Sequence, residues 1–245
     1  MDLGLKDRRA LVTAASKGLG RACAEALIGE GAQVYISSRD AKAIESTGIA
    51  IAAAGWTPAD VSRDADIDAL LEAAIGKLGG LDVLVVNAGG PPPGTFETTP
   101  LEGWDRAYQL TLMSAVRLVR GALPHLNRSD QGRIVFITSI SVRQPIPNLV
   151  LSNSLRAAVT GMAKTLSAEL APDRITVNCL APDAIRTDAL RRLGDLDQME
   201  RRSPMKRLGE PAEVGAACAF LCSRHAGYIT GQTLGIDGGS LVGVH

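Results

Sequence analysis

The chain has little that would commit it to nucleic acid, metal or membrane. Its 26 Lys and Arg are matched by 26 Asp and Glu, so there is no excess charge to gather on one face. Binding to a phosphate backbone needs such a face, which excludes nucleic acid as the main partner. Histidine is scarce, at three in 245 residues, and the four cysteines (Cys23, Cys179, Cys218, Cys222) contain no Cys-x-x-Cys pair. No metal site is expected. Cys218 and Cys222 sit one helical turn apart on an apolar stripe, the pattern of reduced, buried thiols. No apolar run approaches the roughly 18 residues of a membrane span. The opening MDLGLKDRRA has neither a long apolar core nor an Arg/Ser-rich amphipathic pattern. These absences predict a soluble, cytoplasmic protein with no membrane partner.

What is present is apolar content, 46% over 245 residues, enough for one substantial core and a single domain spanning 1–245. Strand-like and helix-like patterns alternate along its length without a Pro/Ser-rich linker or an internal repeat. That alternation predicts an α/β fold, a doubly wound parallel sheet with helices on both faces. Strands are expected around 10–12, 32–37, 81–86, 133–137, 175–180 and 232–236. A poorly marked third strand near 55–60 contains Pro58 and belongs at an edge. Helices are expected at 21–29, 41–54, 64–78, 101–126, 151–170 and 211–222. Helix 64–78 would be capped by Ser62 or Asp64, and helix 151–170 would bury a stripe of Leu155, Ala158, Val159, Met162, Leu166 and Leu170. The polar, charge-rich segment 184–207 reads as a loop or a pair of short helices, and as a candidate lid.

The stretch around which the chain is organised is Leu11–Gly20, LVTAASKGLG, a strand, a tight glycine turn and a helix start. Free N–H groups at the helix N-terminus, with the helix dipole behind them, favour a phosphate over the turn. Gly18 and Gly20 would let a pyrophosphate approach the backbone and the helix pack on the sheet.

Nearly the whole chain, from about Asp7 to Gly239, resembles the short-chain dehydrogenase/reductase family, and within it the bacterial 3-oxoacyl-(acyl carrier protein) reductases. Thr13–Gly20 is similar to the family's T-G-x-x-x-G-x-G turn, with Ala14 in place of the first glycine. Asp60-Val61 resembles the pair beside the adenine, and Asn87-Ala88-Gly89 the triplet that steadies the central sheet. Ile175–Asn178, with Ala181-Pro182, Ile185 and Thr187, resembles the strand and loop against the nicotinamide. Arg207–Pro211 and Tyr228–Gly239 resemble the C-terminal signature. The resemblance implies a Rossmann-type sheet of about seven strands, a homotetramer built through the long helices and the last strand, and a small-molecule carbonyl or alcohol substrate. It implies a nicotinamide cofactor held by Thr13, Ser16, Lys17, Gly18, Leu19, Gly20, Ser38, Arg39, Asp60, Val61, Asn87, Ala88, Gly89, Pro182, Ile185 and Thr187.

Charges choose between the cofactors. A carboxylate at the end of the second strand would bind a ribose 2′-hydroxyl and repel a 2′-phosphate. That position is the neutral Ser38, followed by Arg39, and Lys17 sits in the turn, so NADP is expected rather than NAD. The alternatives are that both cations are solvated surface charges, or that Asp40 partly neutralises Arg39.

At the catalytic positions the chain departs from its relatives. The family places a Tyr thirteen residues after a Ser, and a Lys four further on. Here Ser139 is followed at those spacings by Ser152 and Arg156. The helical Asn of the family's proton relay is replaced by Thr111. A phenol has a pKa of about 10 that a nearby cation lowers. A serine hydroxyl is a far weaker acid, and a guanidinium does not donate its proton. The sequence thus describes a divergent subgroup in which Ser139, Ser152 and Thr111 supply hydrogen bonds and Arg156 a fixed charge. Arg156 can equally bind the cofactor ribose or a substrate carboxylate. Two rivals remain: a nucleotide-binding protein without redox turnover, acting as a sensor or partner of active homologues, and a lyase or isomerase. A plainer reading has Ser152 capping its helix and Arg156 in an ordinary ion pair.

Overall fold

The computed structural model describes residues 1–243. Seven strands, β1 (Arg9–Val12), β2 (Gln33–Ser38), β3 (Gly55–Pro58), β4 (Val83–Val86), β5 (Arg133–Ile137), β6 (Thr176–Pro182) and β7 (Thr233–Ile236), form one sheet in the order β3-β2-β1-β4-β5-β6-β7. Every pairing is parallel. Strand residues are apolar on both sides because helices cover both faces, and alternate residues feed two separate cores.

On one face Leu11, Tyr35, Leu84, Val86, Ile134, Phe136 and Val177 pack under α3 (Asp64–Leu78), α5 (Ser114–Leu126) and α6 (Val150–Glu169). On the other, Val12, Val34, Ile36, Val83, Val85, Val135 and Leu180 pack under α1 (Gly18–Gly29), α2 (Ala41–Ala50) and α9 (Pro211–Cys222). All four cysteines are free and buried. Strand reversal falls between β1 and β4, where the chain leaves β1 for α1 on one face and β4 for the opposite face. Ligands of open parallel sheets bind at such a switch point, beyond the carboxyl ends of the strands.

Pro58 does end an edge strand, β3. Three local expectations need correction. The side chains of Ser62 and Asp64 do not cap α3: its N-cap is Arg63, without a side-chain bond, because the Ser62 hydroxyl is spent on Asp60 at 2.7 Å. Of the stripe expected on α6, Leu155, Val159, Met162, Leu166 and Leu170 pack inward, while Ala158 faces out and Leu151, Ala163 and Ser167 are buried in its place. The long helix over 101–126 is interrupted: α4 (Leu101–Tyr108) passes into a π turn at Gln109–Met113 before α5 begins. The Ser114 hydroxyl donates to the Leu110 carbonyl at 2.5 Å within this disturbed ladder. Segment 184–207 holds two short helices, α7 (Asp188–Arg191) and α8 (Leu196–Arg202).

Candidate functional site

The turn after β1 is locked to the end of β4. Thr13 donates its hydroxyl to the Asn87 carbonyl at 2.6 Å and accepts from the Asn87 N–H at 3.0 Å. The Asn87 amide then donates to the Ala14 carbonyl at 3.1 Å. A Cβ on Gly20 would come within 2.5 Å of that same carbonyl and 2.7 Å of the Asn87 amide, so only glycine lets α1 start here. Ala14 adopts φ 48°, the left-handed conformation that favours glycine. Lys17, the N-cap of α1, is extended and puts no side-chain acceptor on the first helical N–H groups, which have the helix dipole behind them. Gly18 has φ 59°, and the nearest atom to a Cβ there would be the Thr187 methyl, at 3.7 Å. Ser16 gives its carbonyl to the Thr47 hydroxyl at 2.8 Å, and Leu19 packs on the core beneath. The arrangement fits a dinucleotide phosphate by its geometry: a cradle that requires glycine at position 20, helical donors without a side-chain cap, and the Thr187 methyl standing near Gly18.

Beside this cradle, β2 ends at Ser38, whose carbonyl accepts from the Ala59 N–H at 2.9 Å. Asp60 and Val61 follow. Burial alone would raise the Asp60 carboxyl, but hydrogen bonds from the Ser62 N–H and hydroxyl and the charges of Arg39 and Arg63 outweigh it, and the pKa falls below its ordinary value. Arg39 is exposed and its charge acts on Asp60, while Asp40 caps α2 by accepting from the Ala43 N–H at 3.0 Å. Lys17 is exposed and forms no ion pair among the described residues. Gly89 lies beyond β4 with nothing within 4 Å of a Cβ position, while Ala88 packs on the core.

At the end of β6 the residues separate. Pro182 ends the strand, and Thr187 caps α7, accepting from the Leu190 N–H at 3.2 Å while its methyl overhangs Gly18. The Ile185 side chain points inward, 4% exposed and pressed under Gly209, so it offers no surface to a ligand. Asn178 also faces inward, donating to the Ile229 carbonyl at 2.8 Å and accepting from the Gln232 N–H at 3.0 Å. Its role is to clasp the segment before β7.

The remaining candidates gather around the N-terminal half of α6. Ser139 follows β5 directly and caps a short turn, accepting from the Ser141 N–H at 3.1 Å, so its own O–H stays free to donate. Arg156 reaches the same strand end, donating from Nη1 to the Ile137 carbonyl at 2.7 Å and the Thr138 carbonyl at 3.1 Å. Ser152 is on the same face of α6, one turn earlier. It does not cap the helix, whose N-cap is Leu149. Nor does Arg156 form an ion pair among the described residues, so neither part of the plainer reading holds. Arg156 as a residue keeps partial solvent contact while its guanidinium lies deep among protein atoms. Desolvation pushes its pKa down to about 10, which leaves it charged at neutral pH.

Thr111 sits in the π turn, which packs against α6, and its hydroxyl is buried without a partner. Ser141 is in the same state. Sequence pattern gave no sign of Ser141 or of the π turn: the first is one of three hydroxyl residues in Thr138-Ser139-Ile140-Ser141, and the second leaves the helical periodicity of its neighbours intact. The three tyrosines offer no substitute phenol at this position. Tyr35 is buried, bonded to Thr57 and Trp56, while Tyr108 is 42% exposed and Tyr228 fully so.

A family model described as enoyl-(acyl carrier protein) reductase matches residues 13–240. Dehydrogenase/reductase SDR family member 4 of Bos taurus is 34% identical over 246 residues, covering 97% of this chain and 88% of that protein. The 3-ketoacyl-(acyl-carrier-protein) reductase of Brucella melitensis, solved with NADH, has a TM-score of 0.91 and 33% identity over 96% of this chain and 99% of its own. An NADPH-bound short chain oxidoreductase of Pseudomonas aeruginosa PAO1, described as containing an atypical catalytic center, has a TM-score of 0.90 and 30% identity over 97% and 99%.

Proposed function

The chain belongs to the short-chain dehydrogenase/reductase family, and from that premise we propose that it is an NAD(P)-dependent oxidoreductase acting on a small carbonyl or alcohol. The observation that carries the proposal is the cradle in which Thr13, Asn87, Ala14 and Gly20 hold the uncapped start of α1 beside the end of β4. A bound nicotinamide would supply or accept a hydride there. The chain's own residues bind and orient. The α1 N–H groups hold the pyrophosphate, Thr187 covers it, and Asp60-Val61 border the adenine. Exposed Lys17 and Arg39, with no carboxylate at Ser38, favour NADP over NAD.

At the reacting oxygen, Ser139 and Ser152 donate hydrogen bonds and the charge of Arg156 stabilises the developing oxyanion. None of these groups is an acid near neutrality, so the proton must pass through a hydroxyl from solvent or substrate. Substrates of 3-oxoacyl type fit the family position. Exposed Tyr228 and Leu234 beside the edge strand β7 fit a homotetramer, to be read by light scattering. No helix among the described residues is long and apolar enough to cross a membrane, and the cytoplasm is the compartment proposed.

The test is NADPH and NADH binding by fluorescence, followed by oxidation assays against a panel of carbonyls. NADPH oxidation that falls at least tenfold in Ser139→Ala or Ser152→Ala supports the assignment. Activity that survives both changes and Arg156→Ala removes these residues from the mechanism. The want of a phenol favours a second reading, a dinucleotide-binding protein without turnover. A panel left untouched over hours with NADPH bound would establish that reading. Restoring the family's groups with Ser152→Tyr, Arg156→Lys and Thr111→Asn together should then create measurable reductase activity.

A further inference from the structure

Two desolvated arginines serve the same strand, and they are used differently. Arg133, at the start of β5, donates from Nε and Nη2 to the Ser223 carbonyl at 3.3 and 3.2 Å and from Nη1 to the Gly132 carbonyl at 2.9 Å. All three nitrogens are engaged, as a structural guanidinium requires. Arg156, at the end of β5, engages Nη1 alone. Among the described residues its Nε–H and Nη2–H groups have no acceptor. They are also absent from the buried, unpartnered polar atoms of the described residues, which are the hydroxyls of Ser37, Thr111 and Ser141. The free edge of the guanidinium therefore keeps some solvent contact, although the group lies deep among protein atoms.

That edge is the Nε/Nη2 fork, whose parallel N–H bonds match the two oxygens of a carboxylate. A desolvated cation without a counter-charge also gains more from an anion than from a neutral acceptor. A ribose hydroxyl would satisfy an N–H and leave the charge uncompensated. The cofactor's phosphates belong over the β1 turn, and β1 is separated from β5 by β4. Two strand spacings, about 10 Å, put them beyond direct reach of the fork. We infer that the substrate is an oxo acid, or its hydroxy acid, whose carboxylate is gripped by the Nε/Nη2 edge of Arg156 while Ser139 and Ser152 hold the reacting oxygen. The inference rests on the nicotinamide reading for the reaction but not for the binding.

The experiment uses the NADPH-loaded protein with matched probes: pyruvate, acetoacetate and levulinate, each against its methyl ester. Calorimetry reads binding and NADPH absorbance reads turnover. At least one acid should bind tenfold or more tightly than its ester, and that ratio should collapse towards one in Arg156→Gln. Arg156→Lys, which keeps the charge without the fork, should fall between and guards against a misfolded Gln variant. An acid that binds in this way without turnover upholds the carboxylate site and removes the oxidoreductase reading. Turnover of ketones with no acid preferred over its ester overturns the inference and leaves the reductase intact. It is also overturned if the preference survives in Arg156→Gln, if no acid binds, or if Arg156→Gln weakens NADPH binding as much as it weakens the acid.

Discussion

The two ends of the sheet are built on opposite principles. At the amino ends of the strands every buried charge is answered. Asp82, 3% exposed, accepts from Arg9 Nε at 2.8 Å, Arg9 Nη2 at 2.9 Å, the Arg9 N–H at 2.8 Å and the Ser129 hydroxyl at 2.6 Å. Arg8 pairs with Asp130, and Arg133 spends its donors on carbonyls. At the carboxyl ends the pattern inverts: among the described residues there are a guanidinium with free donors and unpartnered hydroxyls at Ser37, Thr111 and Ser141. One end is satisfied within the chain and holds β1, β4 and β5 together. The other is left unsatisfied, the state expected of a surface that completes itself with a ligand.

The widest separation between the ends should come from Asp82. Removing it strands Arg9 and Ser129 together, and Asp82→Ala should cost about 3–5 kcal/mol. Arg156→Gln should stay within about 1 kcal/mol, since the charge it removes has no counter-charge among the described residues and only the Nη1 bonds to the Ile137 and Thr138 carbonyls are lost. Denaturant melts of both variants decide this, and equal losses would break the comparison. Acid sharpens it. Burial would raise the Asp82 carboxyl, but bonds from Arg9 and Ser129 outweigh burial and its folded pKa lies below the ordinary value. Its stabilisation is thus fully present above the unfolded pKa of about 4 and is lost as pH falls through the folded value. The gap between wild type and Asp82→Asn should therefore close on acidification.

The next effect lies in the cofactor cradle. Gly20→Ala places a methyl against the Ala14 carbonyl and the Asn87 amide, both too close to accept it. A stability loss of about 1–3 kcal/mol is expected, with dinucleotide affinity falling at least tenfold by fluorescence titration. A smaller effect belongs to the exposed cations. Neutralising Lys17 and Arg39 together should weaken NADPH by roughly tenfold, about 1.4 kcal/mol, and NADH much less. Equal losses for the two would show that these charges face only solvent.

How far each end was legible follows from what carries it. Strands such as Val83–Val86 and Arg133–Ile137, and helices Asp64–Leu78 and Pro211–Cys222, lie where apolar periodicity and proline place them, because burial writes itself into residue type every two or three to four positions. The glycine turn was also readable, since a short motif fixes backbone geometry, while Ser139, Ser152 and Arg156 were singled out by the family resemblance. The π turn at Thr111, the inward turn of Ile185 and the choice of Arg63 as a cap were not. Each depends on which partner a polar group or side chain finds across the fold, and periodicity carries no record of that. The clasp on Asp82 likewise joins residues 73 and 47 positions apart.

The smallest effect falls on Ala14, and its sign separates strain from fit. At φ 48° an alanine pays for a Cβ close to the following carbonyl, on the order of 1 kcal/mol. The conformation is held from outside, by the Asn87 amide on the Ala14 carbonyl and the Ala15 N–H on the Ser37 carbonyl at 2.8 Å. Glycine occupies that region freely, although it also gives the unfolded chain more freedom. Ala14→Gly should therefore stabilise by somewhat less than about 1 kcal/mol, raising Tm by roughly 1–3 °C for a chain of this size, and should leave cofactor affinity equal or better. A drop in Tm would mean that the turn relaxes around alanine and that the ligand-facing end carries no strain here.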